Sequence, residues 1–217
     1  IKTETLIIPV CPDRDIHRSS AIRSLTRQAL AIHTYKGKKG TELVLHQLQD
    51  TKAGRVIFMG LGDRADLTTE GFRQAAGKGI HLAQHEAAGD AVLVVPDGDT
   101  GNDLAAEDIL AALAEGALLS NHHQDRYKSE RTTRPLKSIR LQADAHLVRK
   151  SATPLKRIEA VCRGTLQARD WINLPANEKT PDLLARHMAK AALRLSGEGK
   201  FAQGLRKHAV TGEGLPA

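Results

Sequence analysis

The chain has 217 residues, 41% of them hydrophobic and 26% charged, enough for one sizeable aliphatic core or one domain plus a fragment. Aromatic residues make up only 3%, so stacking platforms for single-stranded nucleic acid are hard to build. Net charge is +7, which permits attraction to phosphates. The two cysteines, Cys11 and Cys162, are far apart in sequence, and no signal peptide or apolar run of about twenty residues is visible. That usage predicts a reduced, cytoplasmic setting with no membrane partner.

Short apolar or alternating runs predict strands at residues 5–10, 42–48, 55–59, 91–95 and 138–141. Helical patterns fill the gaps at 18–32, 68–86, 104–120 and about 154–172. The helix over 68–86 repeats Phe72, Ala75, Ala76, Gly79, Ile80 and Ala83 on one face. The alternation predicts an α/β fold, a mixed sheet flanked by helices, with antiparallel pairing between 42–48 and 55–59.

Gly60-Leu61-Gly62 follows the third strand and precedes a helix, where backbone N–H groups of α/β proteins often receive phosphates. Gly60 and Gly62 are therefore a candidate phosphate loop. Ala65 occupies the last position of a G-x-G-x-x-G pattern, however, and a structural turn is the preferred reading. His81 and His85 lie four apart on a helix, with Glu86 adjoining. Neither a third ligand nor H-E-x-x-H is formed, so a solvated face is preferred to a metal site. His122 and His123 read as loop residues.

Residues 125–137 carry five basic side chains, Arg126, Lys128, Arg131, Arg134 and Lys137, against two acids. They are candidate nucleic-acid contacts, with DNA as the partner, although most such runs are simply solvated. No Ser/His/Asp order, nucleophile elbow or reactive cysteine context is recognisable.

The segment from Asp170 to Pro181 closes one helix, crosses a linker stiffened by Pro175 and Pro181, and starts another. Thr180 is a plausible N-cap, with Pro181 at the first helical position and Asp182 against the helix dipole. Leu184, Met188, Ala191 and Leu195 then form a stripe. About forty residues follow this seam, too few for an independent domain. The start at Ile1 and the Gly/Pro-containing end read as a segment of something longer.

Successive landmarks resemble the leucyl (cytosol) aminopeptidase family. They are Gly60-Leu61-Gly62, the stretch from Leu67 to Gly77, Glu115-Gly116-Ala117-Leu118-Leu119, Asp125 to Ser129, and Ala168 to Asn177 with Thr180-Pro181. The last is the most specific, and the resemblance covers roughly residues 5 to 195. It implies a macro-domain-like, three-layer αβα N-terminal domain over 1–150, a long C-terminal linker helix over 151–173, and the truncated start of a catalytic domain over 174–217. It also implies a parent enzyme that removes N-terminal amino acids from peptides with two divalent ions, Zn or Mn, and assembles as a homo-oligomer, a hexamer. The family's metal-binding patterns, G-x-T-F-D and N-T-D-A-E-G-R, have no counterpart in residues 178–217, so no catalytic or metal residue and no cofactor is assigned to this chain. Its implied partner is the catalytic domain of the same protein, and its implied role is assembly or regulation. Two other readings stand beside it. One is a macro-type module holding a phosphorylated nucleotide in the loops at 60–62 and 96–101; the other is a DNA-associated basic module.

Overall fold

The computed structural model describes residues 2–49, 51–101, 104–123, 129 and 134–196. The chain divides into two units, Ile1–Leu166 and Gln167–Ala217.

In the first unit, β1 (Thr3–Val10) runs through the middle of a five-stranded sheet. Its near-continuous apolar run, Leu6 to Val10, suits a strand covered on both faces. On one side β3 (Ala53–Gly60) pairs with it in parallel, Leu6 opposite Val56. On the other lies β4 (Asp90–Val94), also parallel, with Leu6 opposite Val92. The edges are β2 (Glu42–His46), antiparallel to β3, and β5 (Ser138–Gln142), parallel to β4, giving the order β2-β3-β1-β4-β5. The expected antiparallel pairing is present, Leu43 facing Phe58. The second strand ends at His46 rather than 48, because Gln47 turns into the left-handed region at φ +53° and its N–H donates to the Gly54 carbonyl.

Period-two alternation sends Ile7, Ile57, Met59 and Leu93 to one face of the sheet, and Leu6, Ile8, Phe58 and Val92 to the other. The first face is covered by α2 (Thr69–His85) and α3 (Ala106–Ser120), through Phe72, Ile80, Ile109 and Leu113. The second is covered by α1 (Ser20–Ala31), through Ile22, Leu25 and Ala29. The result is three layers, α/β/α. The α2 stripe is the expected one, and the helix starts where Thr68 Oγ1 accepts the Gly71 N–H at 3.1 Å.

Between β5 and the long helix α5 (Ala152–Ile172) lies α4 (Ala145–Lys150), which the sequence pattern did not predict. Six residues are too few to show a helical period. Its signal is the cap: Asp144 Oδ1 accepts the N–H of His146 at 2.8 Å and of Leu147 at 3.4 Å.

In the second unit α5 ends at Ile172, whose carbonyl accepts from Lys179 Nζ at 2.9 Å. A 3-10 turn, Ala176–Glu178, follows, then α6 (Pro181–Ser196). Thr180 caps α6, its Oγ1 accepting the Leu183 N–H at 3.4 Å, with Pro181 first in the helix.

Candidate functional site at the carboxyl edge of the sheet

Four parallel strands place the carboxyl ends of β1, β3, β4 and β5 on one edge. Open α/β sheets receive ligands outside these ends, where neighbouring strands lead to helices on opposite faces. Here β1 leads to α1 and its neighbour β4 leads to α3 on the other face. The loops after β1 and β4 share a pattern, Cys11-Pro12-Asp13 and Val95-Pro96-Asp97.

These loops are braced against each other. Arg64, after β3, donates from Nη2 to both carboxylate oxygens of Asp99 at 2.7 and 2.8 Å, and Arg14 Nη2 donates to the same carboxylate at 3.3 Å. The Arg64 N–H donates to Asp13 Oδ1 at 3.0 Å. The Arg18 N–H donates to Asp97 Oδ1 at 2.7 Å, and the Gly98 N–H to the Ile16 carbonyl at 2.9 Å. Hydrogen bonding from Arg64 holds Asp99 below the usual carboxylate range; bonds from Cys11 and from the Arg64 N–H do the same for Asp13.

Cys11 Sγ lies 3.1 Å from Asp13 Oδ1 and 3.2 Å from the Gly62 carbonyl. Burial, then the bond to Asp13, push its thiol up to about 12, so it is no nucleophile at neutral pH. His17 is 4% exposed, and its Nε2 must donate to the Pro9 carbonyl at 2.8 Å. Burial lowers its pKa and keeps the ring neutral.

A cleft of about 170 Å³ opens here among His17, Ser19, Val95, Asp97, Gln142 and Asp144. A second, about 390 Å³, shares Asp97 and Asp144 and is lined by Glu107 and Lys150, which pair with each other. Asp97 and Asp144 already accept backbone N–H groups. The edge is thus rich in carboxylates engaged by the chain's own donors, a poor match for a phosphate.

The candidate phosphate loop has a structural occupation. The Gly60, Leu61 and Gly62 N–H groups donate to the carbonyls of Thr41, Val10 and Gly37 at 2.8, 2.9 and 3.1 Å. Gly60 is required because segment 37–41 folds against it: a Cβ there would fall 2.6 Å from Thr41 Oγ1 and 2.7 Å from the Gly37 carbonyl carbon. These donors hold a turn together and do not face an anion.

Of the basic candidates, Arg126, Lys128 and Arg131 lie outside the described residues. Arg134 and Lys137 are exposed. Between them Leu136 is buried and clamped: Asn121 Oδ1 accepts its N–H at 2.7 Å and Asn121 Nδ2 donates to its carbonyl at 3.0 Å. His122 and His123 follow α3 and are half-buried. His81 and His85 are exposed on α2, their Nε2 atoms 3.1 Å apart. Among the described residues no three His, Cys, Asp or Glu side chains are grouped to hold a metal ion. No helix among them is long and apolar enough to cross a membrane.

Sequence reasoning missed the Asp13–Arg64–Asp99 brace and the buried His17. The paired Pro-Asp turns after two strands were the available signal.

Residues 17–131 match the family model described as the cytosol aminopeptidase family, N-terminal domain. This chain belongs to the cytosol aminopeptidase family. A probable cytosol aminopeptidase of Thermosynechococcus vestitus is 29% identical over 164 residues, 76% of this chain and 32% of that protein. One of Pseudomonas syringae pv. tomato is 30% identical over 215 residues, 91% of this chain and 42% of that protein. Family members matched by this chain are much longer than it is: it spans 32%, 32% and 37% of three of them. Among solved structures, a tomato leucine aminopeptidase mutant superposes with TM-score 0.69 at 22% identity, over 89% of this chain and 40% of that one. The bottromycin maturation enzyme BotP gives 0.68 at 20% identity, over 90% of this chain and 38% of that one, and BotP has also been solved in complex with Mn. These likenesses show the fold.

Proposed function

We propose that this chain is the non-catalytic N-terminal domain of a two-metal aminopeptidase, followed by the opening of its catalytic domain, and that it supports assembly of the parent enzyme and limits access to the peptidase domain. One observation carries the reading beyond family membership: at the edge where α/β proteins receive ligands, the loops are cross-braced by Asp13, Arg64 and Asp99, and the carboxylates there are engaged by the chain's own donors. The loops there are built to hold shape. The domain division belongs to the proposal: a macro-like domain over 1–150, a linker helix over 151–173, and the start of the catalytic domain over 174–217.

The parent would remove N-terminal amino acids from peptides in the cytoplasm, as a hexamer, with two divalent ions, Zn or Mn. The Mn in the BotP complex supports that choice. The described residues of this chain do not fit those ions, because no grouped ligand set is present among them, and no step of hydrolysis is assigned to them.

The untagged 217-residue chain, purified free of host peptidase, is expected to release no leucine from a leucyl substrate with added Mn or Zn. Release that scales with its concentration would refute the assignment. Sedimentation of the parent with and without residues 1–173 tests the assembly role, and an unchanged number of subunits would remove it.

A further inference from the structure

His81 and His85 stand one turn apart on the exposed side of α2, near its carboxyl end. Their rings meet edge to face, centroids 4.5 Å apart and planes at 86°, with Nε2 3.1 Å from Nε2. In that contact one nitrogen donates and the other accepts, so both Nε2 atoms already sit on the same side of the helix, within reach of one ion placed beside the line that joins them.

The spacing can be compared with coordination chemistry. Imidazole nitrogen binds a first-row divalent ion at about 2.0–2.1 Å. Two such nitrogens 3.1 Å apart subtend about 98° at a common ion. That is close to the right angle between neighbouring ligands in tetragonal and octahedral complexes, and narrower than a tetrahedron requires. Each ring then carries its proton on Nδ1, so binding requires a tautomer change at the ring that had donated and a turn of both exposed rings toward the ion.

We propose that His81 and His85 form a two-nitrogen chelating site for a divalent transition ion, with Cu²⁺ preferred over Ni²⁺ and Zn²⁺ and water completing the coordination. The preference follows from ligand type and angle, since imidazole pairs with tetragonal geometry suit Cu²⁺ and Ni²⁺, and Cu²⁺ stands highest in the affinity order. Structural zinc sites use four protein ligands, which this site does not offer. The surroundings do not repel a cation. Lys78, one turn earlier, is drawn to the Glu42 carboxylate and the Gly40 carbonyl. The neighbouring Glu86 carboxylate lies 3.5 Å from Arg55 and 3.9 Å from His46. The site is on the helix flank and is distinct from the loops at the carboxyl edge of the sheet.

The test is titration of the untagged, metal-free chain with Cu²⁺ by calorimetry, together with electron paramagnetic resonance of the complex. One saturable high-affinity step is expected, with superhyperfine splitting from two imidazole nitrogens. His81→Ala and His85→Ala should each abolish that step. Both positions are exposed and alanine favours helix, so the variants should fold, as circular dichroism will verify. The double variant His122→Ala/His123→Ala should bind as the wild type does. Binding unchanged in both single variants, or lost in the double variant instead, overturns the site.

Discussion

Replacing Gly116 by alanine tests whether α2 and α3 touch through their backbones. A Cβ on Gly116 would overlap the Arg73 carbonyl oxygen and fall 2.9 Å from its carbon and 3.1 Å from its Cα. Those atoms belong to the α2 backbone and cannot swing aside as a side chain could, so the helices must separate. Overpacking of this kind costs about 1–3 kcal/mol. Helix propensity works in the other direction, favouring alanine by about 1 kcal/mol. Because the obstacle is rigid, the upper part of the range applies, leaving a net loss of about 2 kcal/mol. At 2–4 °C per kcal/mol for a chain of this size, Tm should drop by about 4–8 °C. Gly164→Ala is the control: nothing lies within 4 Å of the added Cβ, so propensity acts alone and Tm should rise by about 2–4 °C. Both variants are read by thermal unfolding followed with circular dichroism. If Gly116→Ala gains as much as Gly164→Ala, the close helix contact is wrong.

Two further outcomes are expected. His17 is held neutral, its pKa lowered by burial, so the unfolded chain takes up its proton first as pH falls below the ordinary value of 6.5. Stability from this group is complete above that pH and declines below it, by at most about 1.4 kcal/mol per pH unit. Urea unfolding of wild type and His17→Gln between pH 7.5 and about 5 should show the steeper decline in the wild type; parallel curves would count against it. The macro-type reading predicts heat and a thermal shift with ADP-ribose. With the Gly60 to Gly62 donors engaged internally neither is expected, and a saturable isotherm would restore that reading.

Strands covered on both faces were legible from sequence because burial on both sides writes a continuous apolar run, as in Leu6 to Val10. The α2 stripe was legible for a similar reason, its period recurring from Phe72 to Ala83 over about three turns of helix. The six residues of α4 could not show a period, and its only mark was the capping Asp144. The carboxyl-edge brace was less legible still. Arg64 and Asp99 are 35 residues apart, and Asp13 and Arg64 are 51 apart, so their meeting depends on strand order. Gly60 and Gly62 illustrate the remaining limit. Their spacing does not reveal where the N–H groups point, which is set by a segment twenty residues earlier folding back on them.

The position of β1 has a consequence for how the molecule is made. Among the strands of this sheet it comes first in the chain and lies at the centre, and its two neighbours are β3 and β4. Between the emergence of Val10 and that of Val94, elongation at about 5–20 residues per second leaves an interval of about 4–17 s. During that time the apolar run Leu6 to Val10 lacks at least one of the strands that flank it, and it offers nascent-chain chaperones a target.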